Sequence, residues 1–358
     1  MNASPPIRSR KPLLVTGGAG FIGSNLADRL AQEGHDVLVL DALARPGVEA
    51  NLEWLRRRHP ARLSTLIADI RDPDAVAEAV RDAGAVFHLA GQVAVTTSMV
   101  EPQEDFDINL RGTFGLLDAL RRRGGVPLVF ASTNKVYGDL ADVTLERVDG
   151  RYVPVDPTVR EAGIGETRPL DFHTPYGCSK GAADQYVLDF DRSFDVPTVV
   201  LRMSCIYGQR QMGTEDQGWV AHFLIRALRG EPISIFGDGC QVRDVLQVQN
   251  AVEAYVHAWQ RIGAARGRAY NLGGGPGNAV SLRQVIAAIE NLLGRSIETH
   301  YADWRAGDQR YYVSDASAAR EVLGLHEPTP WRVGLASLAG WLERQHGLRT
   351  NAKVEAVP

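Results

Sequence analysis

The sequence predicts an α/β protein with a doubly wound parallel sheet and a smaller α/β lobe towards its C-terminus. An apolar strand over residues 13–16 leads directly into a glycine-rich turn. Short apolar runs then alternate with helical patterns as far as residue 203, which is typical of a parallel sheet. The alternation becomes irregular beyond that point. We therefore expect two interwoven units, one made of residues 11–203 plus 244–275 and the other of residues 204–243 plus 276–348.

The composition is that of a globular protein. The chain has 358 residues, of which 44% are hydrophobic and 23% charged, with a net charge of -4. This charge provides no basic surface for nucleic acid or an anionic membrane, and we find no membrane span and no apolar leader segment. Three cysteines without C-x-x-C spacing favour neither disulfides nor a metal site, so we expect a reducing cytoplasm. We expect disorder over 1–10 and 350–358.

The turn after the first strand has the spacing of a dinucleotide-binding loop, as in the Rossmann fold. Gly17 permits a tight strand-to-helix turn, Gly20 allows backbone N–H groups to approach a pyrophosphate, and Gly23 allows close packing of the helix. The helix that begins near Phe21 and Ile22 directs its positive end at the phosphates. An ordinary glycine-rich turn is the alternative, but the flanking strand and helix favour the cofactor loop.

The ends of the next strands carry residues suited to the same ligand. Asp41, 18 residues beyond Gly23, can accept hydrogen bonds from both hydroxyls of an adenosine ribose, which favours NAD over NADP. The nearby Arg45 means that NADP is not excluded as the cofactor. Asp69-Ile70 follows the third strand, and the aspartate either reaches the adenine amino group or caps the next helix. Leu89-Ala90-Gly91 ends the fourth strand, where we expect small residues under the cofactor. We interpret His88 in that strand as a packed residue.

Two later stretches are predicted to surround the ligand without binding it. A helix over 103–122 carries apolar residues three to four positions apart, which indicates a core and subunit contact. These residues are Phe106, Leu110, Phe114, Leu117 and Leu120. Residues 139–175 have no clear periodicity, and we interpret them as a partial lid over the substrate.

Three polar residues form a candidate catalytic group. Thr133 follows the fifth strand, at the sheet edge where ligands bind. Tyr176 and Lys180 are four apart on one helix face, so the ammonium can lower the phenol pKa and bind the nicotinamide ribose. A surface pair is the alternative. The chain has few lysines, which favours a functional Lys180, because arginine would replace a compact charge poorly. The four lysines are Lys11, Lys135, Lys180 and Lys353.

Five features follow one another along the sequence: the glycines at 17–23, Asp41, Thr133, Tyr176 and Lys180. With these features in this order, the chain resembles the extended short-chain dehydrogenase/reductase family over about residues 12–345. The resemblance implies NAD as cofactor and a catalytic triad of Thr133, Tyr176 and Lys180. Longer runs are similar to those of a branch that epimerises nucleotide sugars. They are 132–139, 170–173, 175–186, 216–220 and 241–246.

This resemblance implies that a nucleotide sugar, with a CDP-hexose favoured, is inverted at C2 by transient NAD-dependent oxidation. Tyr176 as phenolate would take the hydroxyl proton, and Thr133 would orient the alcohol. Asn134-Lys135 replace the Asp-Glu pair of the family's sugar dehydratases, so elimination of water lacks its proton carriers. An arginine in a strand near the cleft, Arg243, suits a pyrophosphate. The expected substrate contacts are Thr133, Asn134, Lys135, Gln217, Arg243 and Arg310.

Other functions remain open at this point. One is a 4-epimerase, or an enolising C3/C5 epimerase, acting on a UDP-, dTDP- or GDP-sugar. Another is a regulatory protein that only senses NAD, which the intact Tyr176 and Lys180 pair disfavours. Because related proteins pair such helices across a two-fold axis, we expect a homodimer or homotetramer through the helices at 103–122 and 176–194.

Overall fold

The computed structural model describes residues 11–305 and 307–346, so the disorder expected at 1–10 and 350–358 concerns residues outside this part. The strands of the described residues are β1 (Leu13–Thr16), β2 (Val37–Asp41), β3 (Leu63–Ile67), β4 (Ala85–His88), β5 (Leu128–Thr133), β6 (Leu145–Val148), β7 (Arg151–Pro154), β8 (Thr198–Met203), β9 (Cys205–Tyr207), β10 (Ile233–Phe236), β11 (Val242–Gln247), β12 (Arg268–Leu272), β13 (Ala279–Ser281), β14 (Thr299–Ala302) and β15 (Tyr311–Tyr312).

The α-helices of the described residues are α1 (Phe21–Gln32), α2 (Val48–Arg58), α3 (Pro73–Arg81), α4 (Val95–Val100), α5 (Pro102–Phe106), α6 (Gly112–Arg123), α7 (Pro157–Ala162), α8 (Thr174–Phe194), α9 (Trp219–Arg229), α10 (Val248–Gln260), α11 (Ile262–Ala265), α12 (Leu282–Leu293), α13 (Ser317–Leu323) and α14 (Trp331–His346). A π-helical turn, Asp107–Arg111, joins α5 to α6. Among these described helices, none combines the length and the apolar character needed to cross a membrane.

The larger sheet has seven parallel strands in the order β12-β8-β5-β4-β1-β2-β3. Strands β1, β4 and β5 are buried along their whole length, because helices cover both faces of the sheet. The strand order reverses between β1 and β4, and a crevice at the carboxyl ends of the strands is expected at this point. The predicted doubly wound α/β fold is confirmed.

Two hydrophobic cores lie on opposite faces of this sheet. On one face, α1 and α10 bury side chains such as Leu26, Leu30 and Trp259. On the other face, α6 and α8 bury Leu120 and Phe190 against the strands. The two layers fix α1 and α8, which carry the cofactor loop and the predicted Tyr-Lys pair, on opposite sides of one crevice.

A smaller sheet forms from β9, β11, β13 and β15, with β11 in the middle. A third core joins it to α9, α12 and α14. The lobe boundary expected at residue 244 falls inside β11, where the buried Asp244 carboxylate accepts hydrogen bonds from Ser204 and Ser314. Residues 244–247 therefore belong to the smaller sheet, and we propose that the return to the larger one begins at Val248.

Residues 139–175 are more regular than expected. They form the hairpin β6–β7, then α7, with Pro157 at the start of that helix. Leu145 and Val159 pack on Val242 and Val313 of the smaller lobe, and no residue from 139 to 175 lines the large cleft described below. The interpretation as a lid is wrong. Strands of four residues and a helix of six are too short to show a period in the sequence.

Candidate active site

A cleft of about 650 Å³ opens at the carboxyl ends of the parallel strands and extends to the smaller lobe. Nearly all predicted site residues line it. They are Gly17, Gly20, Phe21, Ile22, Gly23, Asp41, Asp69, Ile70, Leu89, Ala90, Gly91, Thr133, Asn134, Lys135, Tyr176, Lys180, Gln217 and Arg243. Arg310 is the exception: it is exposed, lies outside the cleft, and its guanidinium sits 5.6 Å from the ring centre of Trp304.

The glycine loop forms a cradle that no larger residue could form. Gly17 has φ +69°, and a Cβ there would lie 2.6 Å from the backbone nitrogen of Ala90. The N-cap of α1 is Gly20, which supplies no side-chain hydrogen bond to the first helical turn. The N–H groups of that turn are thus available for an anion. This backbone fits the pyrophosphate of a dinucleotide.

Asp41 ends β2 beside this cradle. Its carboxylate accepts hydrogen bonds of 2.9 Å from the backbone N–H groups of Ala19 and Leu43, so it also orders the glycine loop. Burial raises the pKa of Asp41, and these backbone donors oppose the rise. Arg45 donates a hydrogen bond to Gln217 across the cleft. Since its guanidinium is engaged there, the geometry favours a ribose with a free 2′-hydroxyl.

Asp69 does not cap a helix, contrary to one of the two expectations. The N-cap of α3 is Asp72, whose side chain accepts from the N–H of Asp74 at 3.0 Å. Asp69 instead forms two hydrogen bonds with the guanidinium of Arg71, 2.7 and 2.9 Å long, which hold its pKa below the ordinary value. Its carboxylate lies at the cleft edge, where the predicted contact with adenine stays a prediction.

The structure brings the candidate catalytic residues together in one buried group. Thr133 ends β5, and Tyr176 and Lys180 lie in the first turns of α8. Burial raises the pKa of Tyr176 to about 12, a hydrogen bond with Thr133 lowers it, and the charge of Asp105 raises it further. The expectation that Lys180 and a bound cationic nicotinamide together favour the phenolate concerns the complex with cofactor, and it stays a prediction.

Lys180 is buried between the sheet and α8. Its Nζ lies 4.2 Å from the ring centre of Phe130. Burial lowers the pKa of Lys180 to about 8, while the charges of Asp184 and Asp105 raise it. The ammonium is thus close to its midpoint at mildly alkaline pH. A change in a neighbouring carboxylate would change its charge state.

His88 is a packed residue, as expected. Its Nδ1 lies 2.7 Å from the hydroxyl of Thr16, and its Nε2 lies 3.0 Å from the hydroxyl of Thr113. Burial, with the charge of Lys180 nearby, lowers the pKa of His88 to about 3. The imidazole is therefore neutral at physiological pH and has no free nitrogen for the cleft.

A cluster of cations lines the part of the cleft that faces the smaller lobe. Arg243 on β11 forms a 2.6 Å ion pair with Asp308, a partner 65 positions away that the sequence did not indicate. Lys135 donates to the carbonyl of Gly307 at 3.0 Å, and burial together with Arg243 lowers its pKa to about 8. The guanidinium of Arg305 lies 3.7 Å from the ring centre of Phe236. These groups suit an anionic ligand such as a diphosphate.

Comparison with known families identifies the architecture. A model of the NAD dependent epimerase/dehydratase family matches residues 13–273, which is more than half of the chain. The chain belongs to this family. It is accordingly an NAD-dependent enzyme, and at the level of the family the predicted NAD-dependent nucleotide-sugar epimerase is confirmed.

Individual relatives cover nearly the whole chain. A CDP-paratose 2-epimerase of Salmonella typhi is 39% identical over 92% of this chain and 98% of its own. Among solved structures, a UDP-glucose 4-epimerase of Thermotoga maritima, with UDP-glucose, has a TM-score of 0.80 at 30% identity, covering 94% and 99% of the two chains. A UDP-glucose 4-epimerase of Thermus thermophilus, in complex with NAD, has a TM-score of 0.77 at 30% identity, covering 93% and 99%.

Two features of this family member escaped the sequence analysis. The first is a buried polar network behind the catalytic group, in which Asp105 accepts hydrogen bonds from Gln92, Asn109 and Ser179. Asn109 lies in the π-helical turn, and such turns are frequent at functional sites. The spacing of four between Asp105 and Asn109 was a usable signal. Their common partner, Ser179, was not visible, because it lies 74 positions from Asp105.

The second feature is the segment 209–217, which we call the strap. It connects β9 to α9 and lies across the cofactor side of the cleft. Side-chain amides of Asn25 and Asn51 donate to its backbone carbonyls at Gln209 and Arg210, at 3.1 and 3.2 Å. Gln217, expected to contact substrate, accepts a hydrogen bond from Arg45, and its contact with substrate stays a prediction.

Proposed function

We propose that the protein is a nucleotide-sugar 2-epimerase that interconverts CDP-paratose and CDP-tyvelose, or a close CDP-hexose, by transient oxidation at C2. The observation that carries this proposal is the buried phenol of Tyr176, which lines one cleft together with the glycine cradle and the cations at Lys135 and Arg243. Such an arrangement suits a hydroxyl that is oxidised and then restored on a sugar held by its diphosphate. The 39% identity to a CDP-paratose 2-epimerase supports the choice of C2 and of CDP.

The residues present fit NAD. The backbone at Gly17, Gly20 and Gly23 would hold its pyrophosphate, and Asp41 its adenosine ribose. When bound, NAD supplies a hydride acceptor that can also return the hydride. The positive charge that NAD would bring to the cleft would favour the phenolate of Tyr176, in the direction opposite to burial.

Tyr176 holds and moves the proton in the proposed reaction. As phenolate, its Oη takes the proton of the C2 hydroxyl and later returns it to the oxygen at C2. The hydroxyl of Thr133, bonded to the phenol, orients the substrate hydroxyl, and the ammonium of Lys180 stabilises the phenolate. Asn134 cannot serve as an acid, and its amide donates to Gln309 at 3.2 Å. This arrangement favours epimerisation over the elimination of water.

The test follows the hydrogen at C2. A CDP-sugar deuterated at C2 should give an epimer that keeps the deuterium, and a reaction in deuterated water should leave carbon unlabelled. An enolising epimerase needs two opposed protein bases and admits solvent hydrogen. Solvent deuterium at C2, C3 or C5 would contradict the proposal.

A second candidate is inversion at C4 of a UDP-sugar, which the likeness to UDP-glucose 4-epimerases favours. A screen of CDP-, UDP-, dTDP- and GDP-sugars, with products identified by NMR, separates the two. Conversion of CDP-paratose at C2 supports the first candidate. Conversion of UDP-glucose at C4, with CDP-sugars unchanged, replaces it by the second.

A further inference from the structure

A fully buried carboxylate, Asp105, lies behind the catalytic group, and the proposed chemistry gives it no role. It sits on α5, two residues before the π-helical turn begins. Its two oxygens accept hydrogen bonds from Gln92 at 3.0 Å, from Asn109 at 3.1 Å and from the hydroxyl of Ser179. Ser179 directly precedes Lys180 on α8. The carboxylate therefore fixes the turn of α8 that carries the lysine.

The titratable and charged groups around Lys180 come from four elements. Asp184 and Tyr176 lie on its own helix, His88 on β4, Asp105 on α5, and Arg202 on β8. Asp184 is already paired with Arg202, whose nitrogens lie 2.9 and 3.0 Å from its two oxygens. His88 is neutral. Among the described residues, no lysine or arginine forms an ion pair with Asp105. Asp184 and Asp105 both raise the pKa of Lys180, with Asp184 the larger effect, and Asp105 is the one of the two that is not paired with Arg202.

A buried cation without a counter-charge loses its proton readily, because burial disfavours the charged form. We propose that Asp105 is a positioning residue that holds Lys180 in place through Ser179 and supplies the negative charge that keeps it a cation beside Tyr176. The inference rests on the proposed function only for its effect on turnover, since the charge state of Lys180 can be measured in the resting protein.

The effect of Asp105 on the two catalytic groups has opposite signs. Its charge raises the pKa of Lys180, which favours the ammonium, and also raises the pKa of Tyr176, which disfavours the phenolate. The site thus gains a stable cation and depends on the bound cofactor to complete the activation of the phenol. Removing the charge of Asp105 should move the titration of Lys180 to lower pH.

The chain is well suited to this measurement because it has only four lysines. Competitive labelling of the ε-amino groups at a series of pH values, read by mass spectrometry, gives the titration midpoint of the Lys180 peptide. Asp105→Asn keeps the shape but removes the charge, and we expect the midpoint to fall by about 1 to 3 pH units. The pH at which kcat declines on the alkaline side of its pH profile should fall by a similar amount.

Two further variants separate charge from packing. Asp107→Asn is the matched control: it changes a carboxylate on the next turn that pairs with Arg111 at 2.7 Å, and the midpoint should stay unchanged. Ser179→Ala removes the hydrogen bond but keeps the charge, so its midpoint should stay near that of the wild type. A midpoint unchanged in Asp105→Asn, or shifted as far by Ser179→Ala, overturns the inference.

If Asp105→Asn does not fold, a substitution of Lys180 tests the interaction between Asp105 and Lys180. Lys180→Met removes the cation, so the carboxyl of Asp105 should take up a proton at neutral pH. Infrared spectroscopy would then detect the band of a protonated carboxyl that the wild-type protein lacks. A spectrum identical to that of the wild type would also overturn the inference.

Discussion

At Tyr176, two opposing effects decide the chemistry. Burial favours the neutral phenol and a hydrogen bond with Thr133 favours the phenolate; we propose that the cationic ring of a bound cofactor would favour the phenolate further. The protein chain alone leaves the group protonated at neutral pH. We therefore propose that Tyr176 is active only in the complex with cofactor, which would couple proton transfer to the occupancy of the glycine cradle.

Tyr176→Phe should lower kcat by roughly 10²- to 10⁴-fold, the usual contribution of a positioned general base. The ring keeps its packing, so NAD content and the affinity for a CDP-sugar should change little. Steady-state kinetics with isothermal titration of the substrate checks both. Near-normal turnover would remove Tyr176 from the mechanism.

Arg243→Ala should weaken binding of the nucleotide sugar on the order of 10- to 100-fold, with a smaller effect on kcat, because a charge-assisted contact with phosphate is lost. The control is Arg310→Ala, which removes an exposed arginine that lies outside the cleft, and its affinity should equal that of the wild type. Equal losses in both variants would contradict the role of Arg243.

Residues close in sequence to a recognisable pattern were predictable, and their distant partners were not. Gly17 and Asp41 were predicted from their spacing together with the strands and helix around them, and Lys180 from its spacing and the scarcity of lysine. The ion pair of Arg243 with Asp308 joins residues 65 positions apart, and the position of Arg310 outside the cleft depends on the path of the loop before β15. A sequence pattern carries no information on whether Arg243 or Arg310 will face the ligand.

At the scale of elements, the strap is held by side chains from both lobes. The guanidinium of Arg210 lies 3.1 Å from the ring centre of Trp54 on α2 and 5.9 Å from that of Trp341 on α14. Burial lowers the pKa of Arg210 to about 10. The two rings therefore fix the strap across the cofactor side of the cleft.

Arg210→Ala should release NAD faster by about 2- to 30-fold, which corresponds to the loss of a cation–π contact of about 0.5–2 kcal/mol. Arg332→Ala is the matched control, because Arg332 stacks on Trp331 at 4.3 Å outside the cleft. Stopped-flow measurement of NAD dissociation compares the variants. Identical rates in Arg210→Ala and in the control would mean that the strap does not limit release.

Long elements could be predicted with accurate bounds, whereas short ones could not. The helix expected over 176–194 agrees with α8, and the helix expected over 103–122 corresponds to α5, the π-helical turn and α6, which together cover 102–123. The hairpin β6–β7 was missed, because strands of four residues in a proline-containing stretch show neither alternation nor a helical period. Their stability comes from packing on the smaller lobe, which local sequence does not encode.

At the scale of the whole molecule, one face remains apolar. Phe114 on α6 and Tyr186 and Phe194 on α8 are each nearly half exposed, and Phe106 beside them is 45% exposed. The rings of Phe114 and Tyr186 pack edge to face at 5.5 Å. Exposed aromatic side chains on two adjacent helices favour association with a second copy of the chain.

We predict that Phe114→Glu converts a dimer or tetramer to a smaller species, because in a two-fold contact the charge would be buried twice. Val333→Glu is the control: it places the same charge on α14, at a residue that is 59% exposed. Light scattering over a range of concentrations measures the mass. A wild-type protein that is monomeric at every concentration would refute the predicted assembly.

The position of β12 at the end of the larger sheet has a consequence for biosynthesis. Six of its seven strands have been made when β8 leaves the ribosome, but β12, at residues 268–272, follows 65 residues later. Until then the unpaired edge of β8 exposes backbone donors and acceptors, and such edges promote aggregation. Substitutions that weaken β12 should therefore reduce the soluble yield of newly made protein more than they reduce the stability of protein already folded.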